Sequence, residues 1–340
     1  MWLPYLNKIE ILNQSTGELL FKYNGGEIRA KLSEILSIMI YGDFESIDAE
    51  VLEIISRKGI PILIHKRNME HVTYIMPGIR ADINDVISKQ ILFRENLPKQ
   101  KYIVRRLLLA KFKSMSWLLK YDPFALDKTM SVEEMRNMEA IKAKLYWRKF
   151  YKLLGSKDIR RSDSDISFVL NGVSKFLSGI ILRWINYHHL SPYHGYLHVQ
   201  TTYPSLIYDL IEPYRPIYDR LVFESLRSQF ESKKKINKDQ LLANCIIDLK
   251  DFLLQKVYSE ATRQIVFRQE LFHGITLALR SYLLGEMDRF VIPLEDKPNG
   301  GRPRKTTFKM HGRHAGITNT YKEATEIANK NSIRSLIRTT

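Results

Sequence analysis

The residues of this chain best suited to chemistry lie between positions 190 and 220, in LSPYHGYLHVQTTYPSLIYDLIEPYRPIYDR. His198 comes first, just after a polar turn with Ser191, Pro192 and Gly195. Pro204 then opens a helical pattern carrying Asp209, Glu212, Arg215 and Asp219 three or four positions apart. That spacing puts all four on one face of a helix or of a helix with a kink. An imidazole and carboxylates are unusual beside such apolar neighbours as Leu197, Leu206, Ile207, Leu210 and Ile211. Mixed carboxylate and imidazole donors suit a hard or borderline divalent cation, Mg²⁺ or Mn²⁺ where oxygen dominates. Pro213 disfavours helix at Glu212, so this carboxylate is expected at a helix end or a kink.

Glu139 is a further acidic candidate. It interrupts an apolar helical stripe, with Ala143 and Tyr146 four and seven positions on. A carboxylate there needs a partner, and the local choices are Lys142, Arg136 or exposure at the stripe edge. Other chemistries fail on spacing. His194 and His198 lie four apart, as in a zinc-protease helix, but no Glu follows the first and Gly195 stands where that helix would run. No glycines have the spacing of a phosphate or dinucleotide loop, and no serine sits in a nucleophile elbow.

The elements that must position these residues fall into three stretches. Residues 1–77 read as a small β-rich domain. Runs at Lys8 to Leu12, Leu19 to Tyr23, Ile35 to Tyr41, Ile60 to His65 and Val72 to Met76 alternate with turn chemistry, and one helix from Ile47 to Lys58 is capped by Ser46. Pro77-Gly78 marks a boundary. Residues 78–290 read as all-helical. Two patterns at 82–96 and 100–120 break at Pro98, and a capping box at Ser131 and Glu134 opens a helix that stops at Gly155. An apolar helix from Ile166 to about His189 carries Gly179 for close packing, and terminal helices follow at Asp248 to Tyr258 and Ala261 to Arg289. The fold class is therefore α+β, a β-rich domain followed by a helical one. Residues 291–340 form a basic tail, with ten Lys and Arg against four Asp and Glu. Within it, Gly301 to Lys305 is similar to an AT-hook core, and Thr320 to Glu323 is a capping box.

Charge narrows the partners. Lys and Arg number 53 against 37 Asp and Glu, a formal charge of +16 that favours a polyanion. Lys99, Lys101, Arg105, Arg106, Lys111 and Lys113 could follow a phosphate backbone, although for any single one a solvated face is the plainer reading. Cys245 is the only cysteine, which excludes an intrachain disulfide and a cysteine-rich zinc site and fits a reducing, cytoplasmic setting. The apolar runs are short for a bilayer and no signal peptide is expected, so nucleic acid is favoured over membrane.

The segment SPYHGYLHVQTTYPSLIYDLIEPYRPIYDRLV resembles the signature of the CRISPR-associated adaptation integrases, the Cas-one family: a small residue-Pro-Tyr turn, Gly-x-Leu-His, Ser-Leu, Asp-Leu-x-Glu and Arg-Pro. MEAIKAKLYW, with Glu139, Ala143, Tyr146 and Trp147, is similar to the family's other motif, and the domain order matches over residues 1–290. The resemblance implies Mg²⁺ or Mn²⁺ held by Glu139, His198 and Glu212, with Asp209 an acidic neighbour of the metal and Arg215 a basic residue at the scissile phosphate. It further implies a metal-dependent DNA endonuclease and integrase of CRISPR adaptation. Such an enzyme joins prespacer 3′-OH ends to the repeat boundary of a CRISPR array by transesterification. Its expected partners are double-stranded DNA, a second copy of the chain through the β domain, and the small adaptation protein Cas-two. A repair nuclease, or a non-catalytic DNA-binding scaffold of the same fold, are the competing readings.

Overall fold

The computed structural model describes residues 1–66, 72–78, 84–155, 165–231 and 237–297. The AT-hook-like segment and the Thr320 to Glu323 capping box lie outside them.

The β-rich stretch forms one six-stranded sheet in the order β3-β2-β1-β4-β5-β6. Its strands are β1 (Trp2–Asn13), β2 (Glu18–Tyr23), β3 (Gly26–Lys31), β4 (Ile38–Phe44), β5 (Ile62–His65) and β6 (Thr73–Ile75). The outer strand pairs are antiparallel, while β4 runs parallel to both β1 and β5. The helix α1 (Ala49–Arg57) makes the crossover that parallel pairing demands. Its N-cap is Asp48 rather than the expected Ser46, and that side chain makes no capping bond. The central strands are buried on both faces, as parallel strands generally are. Ile38, Ile40 and Ile62 pack with Val51 and Ile55 of α1, whereas Met39, Tyr41 and Leu63, one residue out of phase, join the core of the helical domain.

The helical domain comprises α2 (Val86–Glu95), α3 (Leu97–Ser114), α4 (Val132–Leu153), α5 (Asp165–Tyr187), α6 (Ser205–Ile211), α7 (Arg215–Glu231), α8 (Lys238–Leu253) and α9 (Glu270–Leu283). Pro98 does not break α3 but sits in its first turn, where a proline loses no bond, and Asn96 caps it through Lys99 N. The capping box at Ser131 and Glu134 is formed as the sequence predicts. α5 is the central helix and the one helix among the described residues long and apolar enough to cross a membrane. Of its most apolar window 72% is buried inside the fold, which makes it a core helix. Gly179 on α5 allows the sheet to close in: a Cβ there would stand 2.8 Å from Leu63 Cδ1 and from Ser37 Oγ.

One departure is local. In place of two terminal helices separated near residue 260, the chain makes a hairpin, β7 (Lys256–Ser259) with β8 (Gln264–Phe267), between α8 and α9. The β-branched Val257, Ile265 and Val266 fit a pleated surface, and apolar runs of four residues carry no period that separates strand from helix. Residues 291–297 continue along the helical body: Ile292 and Leu294 are buried, and the Tyr214 hydroxyl donates to Pro293 O.

Candidate metal centre

The loop between α5 and α6 carries His198, and three helices hold it. From α2, the wholly buried Gln90 donates to Ser191 O and His194 O and accepts from Ser191 N. Arg94 reaches the His194 ring and Val199 O. Gln100 of α3 donates to Tyr196 O, and Arg136 of α4 to Leu197 O. His194 is thus a loop residue, as its sequence context implies, and the structure adds its contact with Arg94.

From α6, Asp209 is fully buried and accepts from Leu197 N at 2.9 Å, His198 N at 3.0 Å, Tyr196 N, and the His198 ring Nδ1 at 2.7 Å. A carboxylate only accepts, so Nδ1 carries the proton and Nε2 is left as the free donor atom of His198. Burial pushes the His198 imidazole down, but the Asp209 carboxylate outweighs it and the net shift is upward. Gly195 is required by this approach, since a Cβ on it would stand 2.6 Å from His198 O and 2.9 Å from Asp209 Oδ2.

Glu212 lies where Pro213 places it, at the end of α6, and α7 begins afresh at Arg215. Asp209, Glu212, Arg215 and Asp219 therefore do not share one continuous helix face. Asp209 serves the loop, Glu212 and Arg215 pair with each other at 3.3 Å, and Asp219 accepts from the Tyr146 hydroxyl of α4. The kink is clasped by Ser114 at the end of α3, which donates to Pro213 O.

Glu139 takes neither local partner. Arg136 is engaged with the loop and Lys142 lies over the Phe112 ring. Its counter-ion is Lys111 of α3, whose Nζ is 2.5 Å from Glu139 Oε1 and in contact with Glu212 Oε2. Burial presses the ammonium down, yet Glu212 and then Glu139 together raise it above its ordinary range. The sequence reading missed this residue by counting it among the basic residues of α3. The others of that group also have partners within the chain: Lys99 lies over the rings of Phe93 and Tyr282, Lys101, Arg105 and Arg106 donate to Thr129 O, Leu126 O and Phe290 O, and Lys113 pairs with Asp296. Loop carbonyls crossing α3 need donors, and these side chains supply them.

Glu139 and Glu212 thus meet at one positive point, with His198 close enough to feel both Glu212 and Lys111. Among the described residues no three acidic, His or Cys side chains are drawn together tightly enough to cage a metal ion. The donor set nevertheless fits one. Two carboxylates already face a cation, buried Glu212 Oε2 accepts no hydrogen bond of ordinary geometry, and an oriented imidazole presents its free nitrogen.

The family model of CRISPR associated protein Cas1 matches residues 5–260. A CRISPR-associated endonuclease Cas1 from Korarchaeum cryptofilum (strain OPF8) is 24% identical over 265 residues, 65% of this chain and 76% of that protein. Among solved structures, a Cas1 protein from Thermotoga maritima superposes with a TM-score of 0.68 at 18% identity, covering 87% of this chain and 100% of that one. A casposase bound to integration product gives 0.54 at 20% identity, covering 86% and 97%.

Proposed function

We propose, since the chain belongs to the family of CRISPR associated protein Cas1, that it is a metal-dependent DNA endonuclease and integrase. In this reading it joins prespacer 3′-OH ends to the repeat boundary of a CRISPR array by transesterification. The observation that carries this is the convergence of Glu139 and Glu212, from separate helices, on one cationic point, Lys111, with an oriented His198 within electrostatic reach of Glu212 and Lys111.

Glu139, His198 and Glu212 would hold the ion, Mg²⁺ or Mn²⁺, which when bound supplies Lewis-acid polarisation of a phosphodiester. The chain's own residues do the rest. Asp209 fixes the imidazole by taking its Nδ1 proton in a hydrogen bond and fixes the loop by accepting from three backbone N–H groups, so it positions the site through His198. Arg215 opens α7 beside Glu212 with its side chain partly exposed, where a guanidinium can meet a phosphate oxygen. The excess of 16 positive charges draws the duplex to the protein. Double-stranded DNA, a second copy of the chain and the small adaptation protein Cas-two are the partners of this reading.

A half-site integration assay with labelled prespacer and a repeat-containing plasmid tests it. Glu139→Ala, His198→Ala and Glu212→Ala should each lower strand transfer by at least about a hundredfold while duplex binding persists. Strand transfer at wild-type rate in all three would remove the assignment.

A further inference from the structure

Lys111 occupies the place where the two carboxylates meet. Granting the proposed metal function, on which its role depends, we infer that Lys111 is a built-in counter-cation that holds Glu139 and Glu212 together and must withdraw from them when a divalent ion binds. It thereby sets the metal affinity of the site as a positioning residue.

Space is the first constraint. A divalent ion held by both carboxylates sits about 2.0–2.6 Å from their oxygens. The ammonium is already 2.5 Å from Glu139 Oε1 and in contact with Glu212 Oε2. Two cations cannot share that position, because the repulsion between a single and a double charge at such range far exceeds thermal energy even in a well-screened interior. One of them has to leave, and the chain determines how. Lys111 is in the last turn of α3, flanked by buried Ala110 and Phe112. Ser114, three residues on, is tied to Pro213 O next to Glu212. The helix end and the carboxylate backbone are therefore clasped to each other, and the ammonium withdraws by rotation of its four-carbon stem rather than by a shift of α3. Glu212 keeps a second cation, Arg215 at 3.3 Å, so it is not left alone while Lys111 moves.

A purely structural salt bridge and a competing cation make opposite predictions. Removing a structural bridge lowers stability and leaves metal affinity equal or weaker. Removing a competitor makes metal bind more tightly.

The test uses the full chain, Mn²⁺ as probe, calorimetry for affinity and thermal melts in chelator and in Mn²⁺. Lys111→Met should bind Mn²⁺ at least about tenfold more tightly than wild type, melt lower in chelator and gain more from added Mn²⁺. Lys111→Gln, whose amide can still donate to the carboxylates, should show the same gain and serves where the methionine variant does not fold. Lys111→Arg keeps the charge and should bind Mn²⁺ no more tightly than wild type. Unchanged or weaker affinity in the neutral variants, or an equal gain in the arginine variant, overturns the inference. If wild type binds Mn²⁺ and Glu212→Gln abolishes it while Lys111→Met gains nothing, only the role of Lys111 falls. If neither wild type nor the Lys111 variants bind Mn²⁺, the metal reading falls and the role of Lys111 with it.

Discussion

Asp209, itself fully buried, takes hydrogen bonds from three consecutive backbone nitrogens and from the partly exposed His198 ring. Its replacement would strand several buried donors at once. Asp209→Ala should destabilise the chain by about 3–5 kcal/mol in urea unfolding, and Asp209→Asn should cost less because the amide oxygen still accepts. A loss below about 1 kcal/mol for the alanine variant would show that the loop does not depend on this carboxylate. The spacing placed Asp209 on a helical pattern with Glu212, and the family resemblance implied an acidic neighbour of the metal there. That it organises the loop was not readable, because bonds to backbone N–H groups leave no mark on the sequence. Lys111 was hidden for another reason: in a run of five other basic residues nothing distinguishes the one whose helical phase turns it toward Glu139 and Glu212.

At the scale of elements, α5 was the most legible. Its apolar composition, its length and its glycine all indicated a core helix with something pressed against it, and the sheet lies there. The β7–β8 hairpin was illegible, since its strands are shorter than the window in which a period can be counted. The seam where the end of α5 meets α9 holds a prediction in pH. His188 is buried beside His273, with Arg280 and His189 also acting on it, and Nε2 has no hydrogen-bond partner among the described residues. Burial, reinforced by His273, pushes its pKa from 6.5 to about 3. The unfolded chain then binds a proton near 6.5 that the folded chain refuses until about 3, so stability falls as pH falls through that window. The slope from this group approaches about 1.4 kcal/mol per pH unit. Denaturation of wild type and His188→Gln at several pH values should give a difference that narrows on acidification, and a difference independent of pH would contradict it.

For the molecule as a whole, the tail is where charge and structure separate. Residues 291–297 belong to the packed body, through Ile292, Leu294 and the Tyr214 to Pro293 bond. A deletion that probes the tail should therefore begin after Lys297. Loss of residues 298–340 should weaken duplex binding and flatten its log–log salt dependence by about 0.9 for each phosphate contact removed, while saturating DNA restores strand transfer. Equal slopes with and without those residues would mean that they touch no phosphate. The β-rich domain raises a related point. Because Met39, Tyr41 and Leu63 complete the helical core, the proposed self-association through this domain is best tested by light scattering on full-length surface variants rather than on a truncation.

Cys245 is the chain's single cysteine, fully buried on α8, with its thiol pushed up to about 12 by burial and by Asp248. A thiol so placed keeps time. At neutral pH a disulfide reagent can reach it only in molecules whose α8 has opened, so each modification event registers one opening. With a single thiol the record should be one clean exponential, silent under native conditions and quickening with urea in step with loss of helical signal. Rapid labelling of the native protein would show instead that α8 breathes independently of the rest. The protein thus carries an internal stopwatch for its own opening, usable without adding or removing a single residue.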